Sequence, residues 1–106
     1  MVSDEGEHLA LRQILVELLA AEHLPAGYAF RDFVQAGGLM SYSVDLTDMF
    51  RLIASQAADI LRGKKPADIP IYQPTKYELA INVTTAKELG LALSLSFLAQ
   101  ADRVIE

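Results

Sequence analysis

The 106-residue chain has room for one small domain, and with 52% hydrophobic and 22% charged residues it has the means to bury a core. Nine Lys and Arg against fourteen Asp and Glu leave a formal charge of -5, and the basic residues stand singly apart from Lys64-Lys65, which argues against a nucleic-acid partner. The absence of cysteine excludes disulfides, zinc–thiolate sites and thiol nucleophiles, and no apolar run of about 18 residues is present to span a membrane.

In chain order, the spacing of Leu11, Ile14, Leu15, Leu18 and Leu19 predicts a helix over about 5–22 with that stripe buried, capped by Ser3 or Asp4 and ended by Leu24-Pro25. Residues 26–30 read as a short strand, and 31–36 as a short helix closed by Gly37-Gly38. A second strand over 39–44 leads, through a cap at Asp45 or Thr47, into a helix over 46–62 with Gly63 as its C-terminal stop. Prolines 66, 70 and 74 mark 64–76 as an extended connector. Tyr77, Leu79, Ile81 and Val83 then alternate with less apolar residues as a strand does, followed by a helix capped by Thr84 or Thr85 and ended by Gly90. Residues 94–101 read as helix and 103–105 as a last strand. Strands alternating with helices predict an α/β, three-layer architecture with a mainly parallel sheet, which binds ligands at the carboxyl ends of its strands.

No catalytic motif is present, and we expect no enzyme activity, no catalytic residue, no cofactor and no metal site. His8 and His23 read as ordinary surface or helix-end residues, since no further His lies at metal-ligand spacing. Gly37-Gly38 follows a helix, so its backbone is the wrong end of the dipole for an anion and reads as a cap. Tyr28, Phe30, Phe33 and Tyr42 fall at or beside predicted strand ends, and ligand contact and core packing compete as their roles.

Several stretches together resemble one family: Leu24-Pro25-Ala26-Gly27-Tyr28, the run from Phe33 through Gly37-Gly38-Leu39-Met40-Ser41 to Tyr42, and the run from Ile60 through Gly63-Lys64-Lys65-Pro66 to Pro70. Gln73-Pro74-Thr75-Lys76-Tyr77-Glu78-Leu79, Ile81-Asn82, the run from Thr85 to Leu91, and Ala101-Asp102-Arg103-Val104-Ile105-Glu106 extend the likeness over residues 10–106. They are similar to the C-terminal portion of ABC-type solute-binding proteins, which include tryptophan and tyrosine transport components. The resemblance implies a partial periplasmic-binding-protein-like (type I) fold, two lobes that hinge shut on a small solute, and delivery to an ABC permease. It implies that 1–63 closes a second lobe, that 64–76 is a crossover or hinge, and that 77–106 rejoins the first lobe, here within one compact domain. The ligand-facing residues it implies are Tyr28, Phe30 and Tyr42, with Gln73, Pro74 and Thr75 near the hinge. Ser43 stands where the family usually has Gly, and Ser94-Leu95 where it often has Pro-Pro.

The family resemblance implies a periplasmic protein or an extracellular lipoprotein, whereas the acidic start Met1-Val2-Ser3-Asp4-Glu5 is unlike a signal peptide and leaves the cytoplasm open. A sheet cut from a larger fold exposes edges, which predicts a homodimer or higher oligomer, with exchange of the segment beyond the connector as one route. The alternative function is a stand-alone oligomeric interaction or structural module that binds no ligand.

Overall fold

The computed structural model describes residues 1–106. The predicted first helix is two: α1 at Gly6–Ala10 and α2 at Arg12–Ala21, divided at Leu11. Neither Ser3 nor Asp4 caps it. Glu5 holds the N-cap position without a side-chain bond, and the Ser3 hydroxyl is instead 2.8 Å from His8 Nδ1. The buried face also differs from the predicted stripe: Val16 is buried with Leu15 and Leu19 beside it, while Leu11, Ile14 and Leu18 are more than half exposed.

After α2 the chain turns through His23, the one non-glycine residue with positive φ (51°). His23 N–H donates to the Ala20 carbonyl and Leu24 N–H to that of Leu19, the paired bonds of a left-handed helix stop in which glycine is the usual residue. Strand β1 is only Gly27–Tyr28, and α3 follows at Arg31–Gln35. Gly37, at φ 109°, ends α3, and Gly38 N–H returns to the Phe33 carbonyl at 2.8 Å. The diglycine is therefore the helix cap its position suggested.

Strand β2 is Met40–Val44, and β3 is Tyr77–Asn82, followed by α5 at Val83–Glu88, α6 at Leu95–Leu98 and β4 at Arg103–Ile105. The cap of α5 is Asn82, whose Oδ1 accepts from Thr85 N–H at 3.0 Å, and neither threonine. The sheet order is β1-β2-β3-β4, with β1 parallel to β2 and β3 parallel to β4. Asn82 N–H donates to the Leu39 carbonyl and Asp45 N–H to that of Lys76, so β2 and β3 run in opposite directions. The sheet is mostly parallel in an α/β chain.

The chain divides into two compact units: Met1–Ser43 with Glu78–Glu106, and Val44–Tyr77. The grouping differs from the expected single domain with bounds at 63 and 76, because β3 and β4 complete the sheet that β1 and β2 begin. The first unit holds the core. Phe33 and Val34 are fully enclosed, as are Ala80, Ile81 and Ala86 to within 1%. Asn82 Nδ2 donates to the Val34 carbonyl at 3.3 Å and Thr85 Oγ1 to that of Gly37 at 2.8 Å, so the open carbonyls at the end of α3 are met by side chains of the β3–α5 junction.

In this core the Ser41 hydroxyl, 1% exposed, has no hydrogen-bond partner. A buried hydroxyl in that state costs about 1–3 kcal/mol of desolvation, and Ser41→Ala removes it at the expense of little volume. We expect the variant to be about 1 kcal/mol more stable in urea unfolding. A loss of stability of that size would show that the hydroxyl is bonded.

The second unit is α4, Leu46–Leu61, with the connector that follows, in which Pro66–Asp68 forms one 3₁₀ turn. Asp45 caps α4, its Oδ1 accepting from Thr47 N–H (3.0 Å) and Asp48 N–H (3.3 Å). The solvent face of α4 carries two exposed pairs at i,i+3, Arg51–Asp48 and Arg62–Asp59, both at 3.5 Å. Lys76 lies 3.1 Å from Asp48 and 3.7 Å from Asp45, and the hydrogen bond to Asp48 with both carboxylate charges raises its ammonium pKa. No residue of this unit is buried.

Candidate functional site

Strand β1 ends at Tyr28 and α3 opens at Arg31, so residues 29–31 form a turn at the carboxyl end of β1, the place where parallel sheets present ligand-binding groups. Phe30 is extended there (φ -133°, ψ 152°), at the N-cap position of α3, with its ring half-buried against the core cluster of Val16, Tyr28 and Phe33. The Arg31 guanidinium reaches Glu78 Oε2 at 3.5 Å, and Arg103 Nε donates to the same oxygen at 3.3 Å. Glu78 is largely enclosed, with 15% of its side chain exposed, whereas the two arginines are more open. Two guanidinium groups on one carboxylate leave a net positive charge and unused N–H donors, an arrangement suited to a carboxylate ligand.

Of the residues expected to face a ligand, Tyr28 is 4% exposed and stacks on Phe33 with ring centroids 5.0 Å apart and planes at 17°. Burial raises its phenol pKa. Tyr42 is 64% exposed on β2, and its neighbour in the sequence, Ser41, points into the core instead. Gln73 and Thr75 are exposed in irregular chain, and Pro74 lines an apolar groove of about 400 Å³ between α4 and the connector, with Met49, Ile53, Ile60 and Ile71 among its walls. The structure brings Tyr28 and Phe30 into one cluster, and places Gln73, Pro74 and Thr75 in the other compact unit.

Sequence reasoning passed over Arg31, Glu78 and Arg103. A signal was present: Arg31 directly follows the aromatic end of the predicted strand over 26–30, and Glu78 is the one charged residue of Tyr77–Asn82, where a charge calls for a partner. What spacing could not show is that residues 47 and 25 positions apart meet on one carboxylate oxygen.

The first unit also contains an apolar concavity of about 360 Å³ at the other end of the strands, reached by Ala26 before β1, Leu39 before β2 and Thr85 after β3. Tyr28 forms part of its wall.

The model of the family described as ABC transporter substrate binding protein matches residues 12–105. The chain belongs to that family. A solved ABC domain from Streptococcus pneumonia in complex with L-Trp superimposes on 98% of the chain with a TM-score of 0.91 and 27% identity. A conserved domain protein from Vibrio cholerae matches over 91% with a TM-score of 0.73 and 21% identity, a likeness of fold. So does the ligand-free, open structure of a substrate binding protein with adhesive properties from Clostridium difficile, over 97%, with a TM-score of 0.59 and 15% identity. The chain spans 35%, 41% and 34% of these three structures respectively. No curated protein matches the sequence. The family is one of solute-binding proteins and not of enzymes, and no helix here is long and apolar enough to cross a membrane.

Proposed function

We propose that the chain contributes one side of a solute-binding cleft for uptake of an aromatic amino acid or a closely similar zwitterion through an ABC permease, outside the cytoplasmic membrane. The observation that carries the reading is the backbone likeness to the ABC domain in complex with L-Trp, at a TM-score of 0.91 over 98% of the chain. The turn at the end of β1 suits such a solute in two ways. Arg31 offers a guanidinium to the solute carboxylate while Glu78 holds its position, and Phe30 and Tyr42 supply aromatic surface. Tyr28 then acts from behind, as the ring on which this turn is built. Gln73, Pro74 and Thr75 are assigned to the crossing segment.

On this reading a single copy of the chain supplies only part of the cleft. The unburied second unit, with Phe50 68%, Leu61 88% and Ile71 101% exposed, favours self-association as a homodimer or higher oligomer, with exchange of the segment beyond the connector as one route. Without solute binding, the same surface would make the chain a structural module.

The thermal midpoint of the 106-residue chain, followed with L-tryptophan, L-tyrosine, L-phenylalanine and L-alanine while light scattering records its mass, tests both parts. An aromatic solute at 100 times its Kd should stabilise by about 2.7 kcal/mol. Arg31→Gln should weaken that solute about tenfold, the loss expected for a charged hydrogen bond. No shift with any aromatic amino acid up to its solubility would sink the solute reading, and a monomer at all concentrations would sink self-association.

A further inference from the structure

We propose that the unit formed by residues 1–43 and 78–106 carries a second small-molecule site, which takes an amphiphilic cation: an aryl or alkyl body with an ammonium head. It goes beyond the solute reading, because neither Phe30 nor Arg31 lines it.

The body of the ligand is specified by the 360 Å³ concavity, whose walls are Val16, Leu19, Leu24, Leu39, Leu89 and the Tyr28 ring. That volume falls in the range of small-molecule pockets, and its mouth is kept open by residues that cannot close it. Gly37 and Gly38 present bare backbone on one side, and a Cβ at Gly38 would come within 2.6 Å of the Tyr28 ring. On the other side the main-chain bonds around His23 lock the end of α2 in one conformation.

The head is specified by charge. An adjoining groove of about 440 Å³ shares Val16, Ala20, Gly37, Thr85 and Glu88 with the concavity and adds the carboxylates of Glu17 and Glu106. Neither space is lined by Lys or Arg, and the His23 imidazole is the one basic side chain at either. Thr85 Oγ1 already gives its proton to the Gly37 carbonyl, so what it offers a ligand is lone pairs. Glu88 offers the same. An apolar chamber that ends on acceptors and negative charge fits a donor-only cation and rejects a carboxylate.

Tryptamine is a direct probe, because the chain contains no tryptophan and the indole fluorescence reports the probe alone. Its anisotropy should rise saturably with the intact chain, and amide shifts should gather at Gly37, Gly38, Thr85 and Glu88. Indole-3-propionate, the anionic counterpart, should bind at least tenfold more weakly. Glu88→Gln, at an exposed position, should weaken tryptamine about threefold, as an exposed charge pair would. Ala20→Phe should abolish binding by filling the mouth, with circular dichroism confirming the fold. Equal binding of the anion, shifts gathered at Phe30–Asp32 instead, or no saturable binding of tryptamine would each overturn the proposal. None of these outcomes bears on the thermal response to L-tryptophan.

Discussion

Phe33→Ala should cost about 3–5 kcal/mol, the usual loss for a fully enclosed aromatic side chain in a core. Phe33 is 0% exposed, is stacked on Tyr28 at 5.0 Å and belongs with Val16 to the cluster against which Leu15, Leu19, Phe30 and Ala36 pack. Its removal strips the contact between α2 and α3 and leaves the Tyr28 ring unsupported on one face. A chain of this length has about 5–15 kcal/mol in total, so much of the stability would go, and the urea midpoint should fall with the slope unchanged. Phe50→Ala, at a ring 68% exposed on α4, is the control and should stay within about 0.5 kcal/mol. Equal losses at the two positions would show that Phe33 is not the centre of the core.

Gly38→Ala should be nearly as damaging, at about 3 kcal/mol, through crowding and not through loss of contact. A Cβ there would stand 2.6 Å from Tyr28 Cε2 and 2.8 Å from the Phe33 carbonyl oxygen. The ring is pinned by its stacking and the oxygen is backbone already engaged by Gly38 N–H, so neither can yield cheaply. Gly27→Ala, with nothing within 4 Å of the new carbon, should leave stability within about 0.5 kcal/mol. Near-ultraviolet dichroism of the tyrosines and thermal midpoints on the three proteins would decide it. A Gly38→Ala protein as stable as the parent would place the Tyr28 ring elsewhere.

Both substitutions act on residues whose importance was only half visible in the chain. Gly37-Gly38 announced a helix stop, and the positive φ of 109° at Gly37 accords with that. That Gly38 is needed because an aromatic ring lies against it depends on a contact with Tyr28, ten positions away, which no local pattern encodes. The aromatic group at the strand ends was legible as a group, but its division was not: Tyr28 and Phe33 went to the core and Tyr42 to the surface. Alternation along β2 settles that division, since Ser41 and Tyr42 must face opposite ways.

The amino-acid sequence by itself determined the order of helices and strands, the caps at Asp45 and Gly37, the α/β class and, through ordered motifs, the family. These are local or linear properties, written in period, turn chemistry and motif spacing. The tertiary structure alone decided which side of α2 is buried, where the chain divides and which charges meet. Leu11, Ile14 and Leu18 form as good a helical stripe as Leu15, Val16 and Leu19, and only the position of Tyr28 and Phe33 selects between the two. Likewise, Glu78 acquires Arg31 and Arg103 because β3 and β4 close the sheet begun by β1 and β2, a pairing of distant segments whose free energy comes from packing.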